Sequence, residues 1–101
     1  VPLRFEDNYS LSRPVLEEKI TERTRLLIIN SPNNPTGRML TQDEAEMLMK
    51  LAVDRNLLII SDEIYSELVY DGNHHIALAG LPHGMDHVVT VDGFSKFAAM
   101  T

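Results

Sequence analysis

Hydrophobic and polar positions divide the chain into three apolar runs separated by segments with a different rhythm. Leu26-Leu27-Ile28-Ile29, Leu57-Leu58-Ile59-Ile60 and Val88-Val89-Thr90-Val91 are almost continuously apolar. Unbroken runs of this length predict strands buried on both faces rather than strands with one wet side. Between the first two, Ala45, Leu48, Met49 and Ala52 recur at helical spacing, with Glu46, Lys50 and Arg55 outside that stripe. Thr41-Gln42-Asp43-Glu44 precedes the stripe with the spacing of a capping box, in which the hydroxyl bonds a free N–H and the glutamate reaches back. Asn56 suits the left-handed residue that ends such a helix. Pro2 to Asn8 reads as an extended lead-in, and Ser12 is placed to cap a short helix through Pro14, Leu16 and Ile20. Two prolines and a glycine in Ser31-Pro32-Asn33-Asn34-Pro35-Thr36-Gly37 forbid regular structure and specify a tight turn. Glu63 to Leu81 carries no clear period, apart from a turn at Asp71-Gly72-Asn73.

Strands joined by long crossings pair in parallel with right-handed connections, so the pattern predicts an α/β fold of three parallel strands with crossover helices. Parallel strands place their carboxyl ends on one edge, where open α/β sheets take their ligands. Asn34, Asp62 and Lys96 each lie just past such an end. Three polar side chains are therefore expected at one rim.

Composition narrows the classes. At 101 residues the chain is at most one domain. A net charge of −6, with no block of Lys or Arg, argues against a nucleic-acid footprint or an anionic membrane surface. Cysteine is absent, which excludes disulfides, thiolate metal sites and thiol catalysis. The apolar runs fall far short of the ~18 residues of a membrane span, and no basic-then-apolar start resembles an export signal. The expectation is an acidic, soluble, cytoplasmic piece of a globular protein. Val1 in place of Met, and an end close behind Lys96, suggest a segment cut from a longer chain at both ends.

The chemistry lies in the ordered set at the strand ends. A lysine there can condense with an aldehyde cofactor. A carboxylate opposite a pyridine nitrogen keeps that nitrogen protonated, which turns the ring into an electron sink. An amide and a phenol can donate hydrogen bonds to a ring phenolate. Those are the demands of pyridoxal phosphate, and Lys96, Asp62, Asn34 and Tyr65 match them one for one. Singly, each has a plainer reading: a solvated lysine, a helix-capping aspartate, a turn-forming asparagine and a packed tyrosine. The order and placement of all four favour the cofactor. Other candidates stay plain. His74, His75, His83 and His87 lack the carboxylate spacing of a metal site and read as loop histidines. Met47 and Met49 read as core. Ser61 and Ser95 have no histidine at a useful spacing, so a serine hydrolase is rejected. Gly93-Phe94-Ser95-Lys96 lacks the upstream glycines of a nucleotide-binding loop.

At Asn30–Gly37, Ser61-Asp62-Glu63-Ile64-Tyr65, Gly93-Phe94-Ser95-Lys96 and the tail Ala99-Met100-Thr101, the chain resembles the fold-type I pyridoxal-phosphate enzymes, in particular the class I/II aminotransferases. The resemblance covers the whole chain and implies that residues 1–101 are part of the cofactor-binding large domain, with its sheet. It implies that Asn34 and Tyr65 donate to the cofactor's 3-hydroxyl oxygen, that Asp62 pairs with the pyridine nitrogen, and that Lys96 holds the aldehyde and later shuttles a proton. It further implies amino acid and 2-oxo acid substrates and a homodimeric parent. The chain departs from the pattern at Gly93, where many relatives carry a phosphate-contacting Ser or Thr. The upstream phosphate loop, the ring-stacking aromatic and the arginines for phosphate and substrate carboxylate lie outside this sequence.

Three alternatives remain at this stage. A carbon–sulfur lyase uses the same scaffold, although some such relatives have His at the position of Tyr65. The effector domain of a transcription regulator also borrows it, usually with changes in the Asn33-Asn34-Pro35 and Asp62–Tyr65 stretches. Finally, the isolated segment is expected to be inactive, because one long helix cannot cover both faces of three apolar strands.

Overall fold

In a computed structural model that describes residues 1 and 3–100, the three apolar runs form one parallel sheet. Pro2, at the start of the expected extended lead-in, and Thr101, at the end of the motif tail, lie outside the described residues. A short helix, α1 (Arg13–Lys19), leads into β1 (Leu26–Asn30); α2 (Gln42–Arg55) crosses to β2 (Leu58–Asp62). The second crossing has only a 3-10 turn at Leu78–Gly80 and the single-turn α3 (Gly84–His87) before β3 (Val88–Val91). β2 lies in the middle. Its Ile59 pairs with Leu27 on one side and Val88 on the other, and its Asp62 with Asn30 and Val91.

The helix that bridges β1 and β2 forms as its sequence dictates. Thr41 Oγ1 accepts from the Glu44 amide at 3.3 Å, and Glu44 Oε2 accepts from the Thr41 amide at 3.0 Å. Asn56 ends the helix in the left-handed region, φ 50°, with its N–H on the Ala52 and Val53 carbonyls. Ala45, Leu48, Met49 and Ala52 are all buried, joined by Leu51. Glu44 does more than close the box. Its Oε1 also accepts from the Leu11 amide at 2.7 Å and from the Arg38 guanidinium, pinning the amino-terminal segment and the Asn33–Arg38 turn to the start of α2. Burial pushes this carboxyl up, but the backbone donors from Thr41 and Leu11, together with Arg38, outweigh it and leave its pKa below the ordinary value.

Alternation along the strands sets the two faces. Leu27, Ile29, Ile59 and Val88 turn toward α2 and pack with its buried stripe, Leu16, Leu57 and Leu78 into one core. The opposite face carries Leu26, Ile28, Leu58, Val89 and Val91, all exposed, with Ile28 at 69 %. The strands are apolar on both faces, but within this chain only the α2 side is covered, as expected of a segment with one long helix. Two local expectations also change. Phe5–Asp7 is a 3-10 turn rather than extended chain. Ser12 occupies the N-cap position of α1, yet its side chain makes no capping bond. The helix is held instead by burial of Leu16 and by Arg13, which meets Glu17 at 2.9 Å and Asp54 of α2 at 2.8 Å.

Candidate active site

All four residues singled out from the sequence lie on or beside the carboxyl edge of the sheet, and three of them are in contact. Asn34 stands in the turn after β1, and its Nδ2 donates to Tyr65 Oη at 2.9 Å. Tyr65 follows β2 by three residues and is half-buried. Lys96 follows β3, and its Nζ lies 5.9 Å from the centre of the Tyr65 ring, within cation–π range. Asp62 is the last residue of β2, half-buried, with Oδ1 accepting from the Ile64 amide at 3.3 Å. Among the described residues, no hydrogen bond joins its carboxylate to Asn34, Tyr65 or Lys96.

The turn that carries Asn34 is anchored by a residue the sequence reading did not assign a role. Asn30, at the end of β1, accepts on Oδ1 from the Asn34 amide and from Asn33 Nδ2, each at 3.2 Å. Its Nδ2 donates to the Asp62 carbonyl at 3.2 Å. One side chain thus ties the Asn34 turn to the end of the neighbouring strand. Gly37 adopts φ +69° and closes the turn by donating to the Asn33 carbonyl at 2.8 Å.

A second group sits on the other side of Asp62. Glu63 is buried; its Oε1 accepts from Ser61 Oγ at 2.8 Å and its Oε2 lies 2.7 Å from His75 Nε2. His75 is accordingly not a free loop histidine as the sequence suggested. Its carboxylate partner stands twelve residues away, at no recognisable spacing. His87 is likewise fixed, Nδ1 lying 2.9 Å from the Leu57 carbonyl, whereas His74 and His83 are exposed. No cluster able to hold a metal occurs among the described residues. Ser61, Glu63 and His75 do not form a hydrolase relay either. The carboxylate lies between the other two, so the histidine cannot take the serine's proton.

The donor set suits pyridoxal phosphate. Tyr65 Oη accepts from Asn34 and so keeps its own hydrogen to give, and Asn34 Nδ2 has a second N–H. Asp62 supplies an acceptor and Lys96 an exposed amine. A groove of about 420 Å³ flanks Asn34 and Tyr65, lined also by Met39, Val69 and Tyr70, but it reaches neither Asp62 nor Lys96. A larger one, about 580 Å³, runs along β1 beneath Tyr9 and Leu11 and is an uncovered part of the sheet. Gly93 donates its N–H to Asp92 Oδ1 at 2.7 Å; a Cβ there would meet only the Cδ1 end of Ile64, at 3.2 Å.

Comparison with known proteins agrees over the whole length. The family described as aminotransferase class I and II matches residues 1–101. An aromatic-amino-acid aminotransferase 2 of Thermococcus litoralis is 45 % identical over all of this chain and 26 % of its own length. An aspartate aminotransferase of Musicola paradisiaca is 40 % identical, again over the full chain and 25 % of the relative. The crystal structure of an aromatic aminotransferase from Pyrococcus horikoshii superimposes with a TM-score of 0.95 at 42 % identity, covering all of this chain and 27 % of that one. The chain spans about a quarter of the length of the relatives it matches.

Proposed function

This chain belongs to the class I and II aminotransferase family, and from that premise we propose that it is the cofactor-holding part of the large domain of a longer, pyridoxal-phosphate-dependent transaminase. When bound, pyridoxal phosphate supplies an aldehyde that condenses with amines and a protonated ring that accepts an electron pair. Asp62 keeps the proton on the ring nitrogen. Asn34 and Tyr65 donate to the ring's 3-oxygen and fix its orientation. Lys96 would hold the aldehyde carbon and would take and return the proton that moves between carbon atoms. The reaction carries an amino group from an amino acid to a 2-oxo acid.

The observation that carries this reading is the chain of contacts from Asn34 to Tyr65 to Lys96, on the sheet edge where Asp62 ends β2. Transamination is preferred over a carbon–sulfur lyase because Tyr65 is present and because the relatives described above are named as aminotransferases. The net charge of −6, with no block of Lys or Arg, argues against a nucleic-acid partner. No helix among the described residues is long and apolar enough to cross a membrane. The working assembly is a cytoplasmic homodimer, and residues 1–101 alone are inactive. The test is Lys96→Ala in the full-length enzyme. It should abolish both transamination and the visible absorption band of lysine-bound cofactor; a mutant that keeps the band removes Lys96 from its role.

A further inference from the structure

We propose that Ser61, Glu63 and His75 form a buried positioning unit that holds Tyr65 against Asn34 and thereby sets how tightly the chain grips its cofactor. The inference rests on the reading of Asn34 and Tyr65 as cofactor contacts. It concerns residues that do not themselves touch the cofactor.

The geometry begins at Asp62. Its side chain belongs to the same face of β2 as Leu58 and Ile60, while its neighbours Ser61 and Glu63 are buried. Glu63 carries the ladder one residue further, its N–H donating to the Val91 carbonyl at 2.8 Å. Backbone and carboxylate are thus both fixed. From that fixed point the chain leaves the sheet, and at His75 its ring closes back on Glu63 at 2.7 Å. Tyr65 is the second residue of the loop so closed. Inside the loop the backbone bonds are local turns, Ser66 to Glu63, Leu68 to Tyr65 and Asn73 to Tyr70. Among the described residues, hydrogen bonding holds residues 65–75 to the rest of the fold through those turns at its start, through Tyr65 on Asn34 and through His75 on Glu63.

The histidine is also an odd choice for packing alone. Its Nδ1 is buried and has no partner, so one ring nitrogen is satisfied and the other is not. A buried polar atom left unpaired is destabilising, so the ring is retained at that cost for its bond to the buried Glu63 carboxylate. Departures of this kind concentrate where a specific geometry is required. His75 Nε2 and Glu63 Oε2 share one hydrogen bond, and Ser61 Oγ donates to the other oxygen. Each carboxylate oxygen thus has one partner, Ser61 on Oε1 and His75 on Oε2. Loosening either partner lets the Tyr65 segment drift from Asn34, and displacement of about 1 Å at a positioned group costs on the order of 10²-fold in rate.

The experiment uses the full-length enzyme stripped of cofactor. His75→Leu, His75→Gln, Ser61→Ala and Tyr65→Phe are titrated with pyridoxal phosphate, and the dissociation constant, the visible absorption maximum and the melting midpoint without cofactor are recorded. His75→Leu should weaken binding about 10-fold, the usual scale for losing a group that orients a first contact, and shift the band in the direction that Tyr65→Phe shifts it. Ser61→Ala should do the same to a smaller extent, and it carries the test if His75→Leu does not fold. His75→Gln, whose amide can still donate to Glu63, should restore both values. The proposal is overturned if His75→Leu and Ser61→Ala lower only the melting midpoint while Tyr65→Phe weakens binding, because the unit is then structural. If Tyr65→Phe and Asn34→Ala also leave affinity and spectrum unchanged, the cofactor reading beneath it fails instead.

Discussion

At the scale of single residues, the site is a matter of which atoms each strand end delivers. Asp62 is the plainest case: Asn30 holds its carbonyl, the ladder holds its backbone, and one carboxylate oxygen faces the Ile64 amide. Replacing it with Asn preserves shape and removes the charge. Asp62→Asn in the full-length enzyme should lower turnover by ~10²-fold or more, as expected for one preorganised electrostatic partner; near-normal turnover in a steady-state assay would remove Asp62 from the ring nitrogen. Gly93 supports a prediction of the opposite sign. Its backbone is not left-handed and a Cβ would press only on the tip of Ile64. Gly93→Ser should fold normally and tighten pyridoxal phosphate by a few-fold through a new hydroxyl donor, on the order of 1 kcal/mol; unchanged or weaker binding in a cofactor titration would place the phosphate elsewhere. That Asn34, Asp62, Tyr65 and Lys96 fall at the carboxyl edge of one sheet was legible because each follows an apolar run. The contacts of Asn30, Glu63 and His75 were not legible, because their partners stand on other segments or on the far side of a loop, and sequence spacing carries no trace of them.

Among the elements, α2 shows how much local chemistry can decide. Its capping box, apolar stripe and Asn56 terminus all form as the sequence requires. The three donors on the Glu44 carboxylate make its contribution pH-dependent. Its folded pKa is depressed below the ordinary value of 4.5, so its stabilisation is fully present above about that pH and disappears as pH falls through the lower folded value. Glu44→Gln should therefore destabilise the protein by roughly 1–2 kcal/mol at neutral pH and progressively less on acidification. Urea unfolding at a series of pH values checks this; an equal deficit at every pH would show that Glu44 acts through packing alone. Incomplete cover was also foreseeable, since the chain has one long helix for two apolar faces. A continuous apolar run signals two faces awaiting burial, but it does not say that the covering elements belong to the same stretch of chain. Ile28, 69 % exposed, is the result. The turn at Phe5–Asp7 and the single-turn helix at Gly84–His87 escaped notice because three or four residues are too few to establish a period.

For the molecule as a whole, one face of the sheet is packed and the other is an apolar surface of Leu26, Ile28, Leu58, Val89 and Val91. Contiguous patches of this kind drive association unless something covers them. The isolated 101 residues should thus associate with increasing concentration in sedimentation experiments and show no transamination with added cofactor and amino donor. A stable monomer that turns over substrate would contradict both expectations. The account itself stands on Lys96 as the cofactor's anchor, and the chain offers two rival amines, Lys19 and Lys50. Borohydride reduces any carbon–nitrogen double bond between a lysine and the aldehyde to a stable amine, which peptide mass spectrometry can then locate. In the full-length enzyme loaded with pyridoxal phosphate, the added mass should fall on the peptide containing Lys96 and vanish in Lys96→Ala. A label on Lys19, Lys50 or a lysine elsewhere, with Lys96 unmodified, would contradict the account.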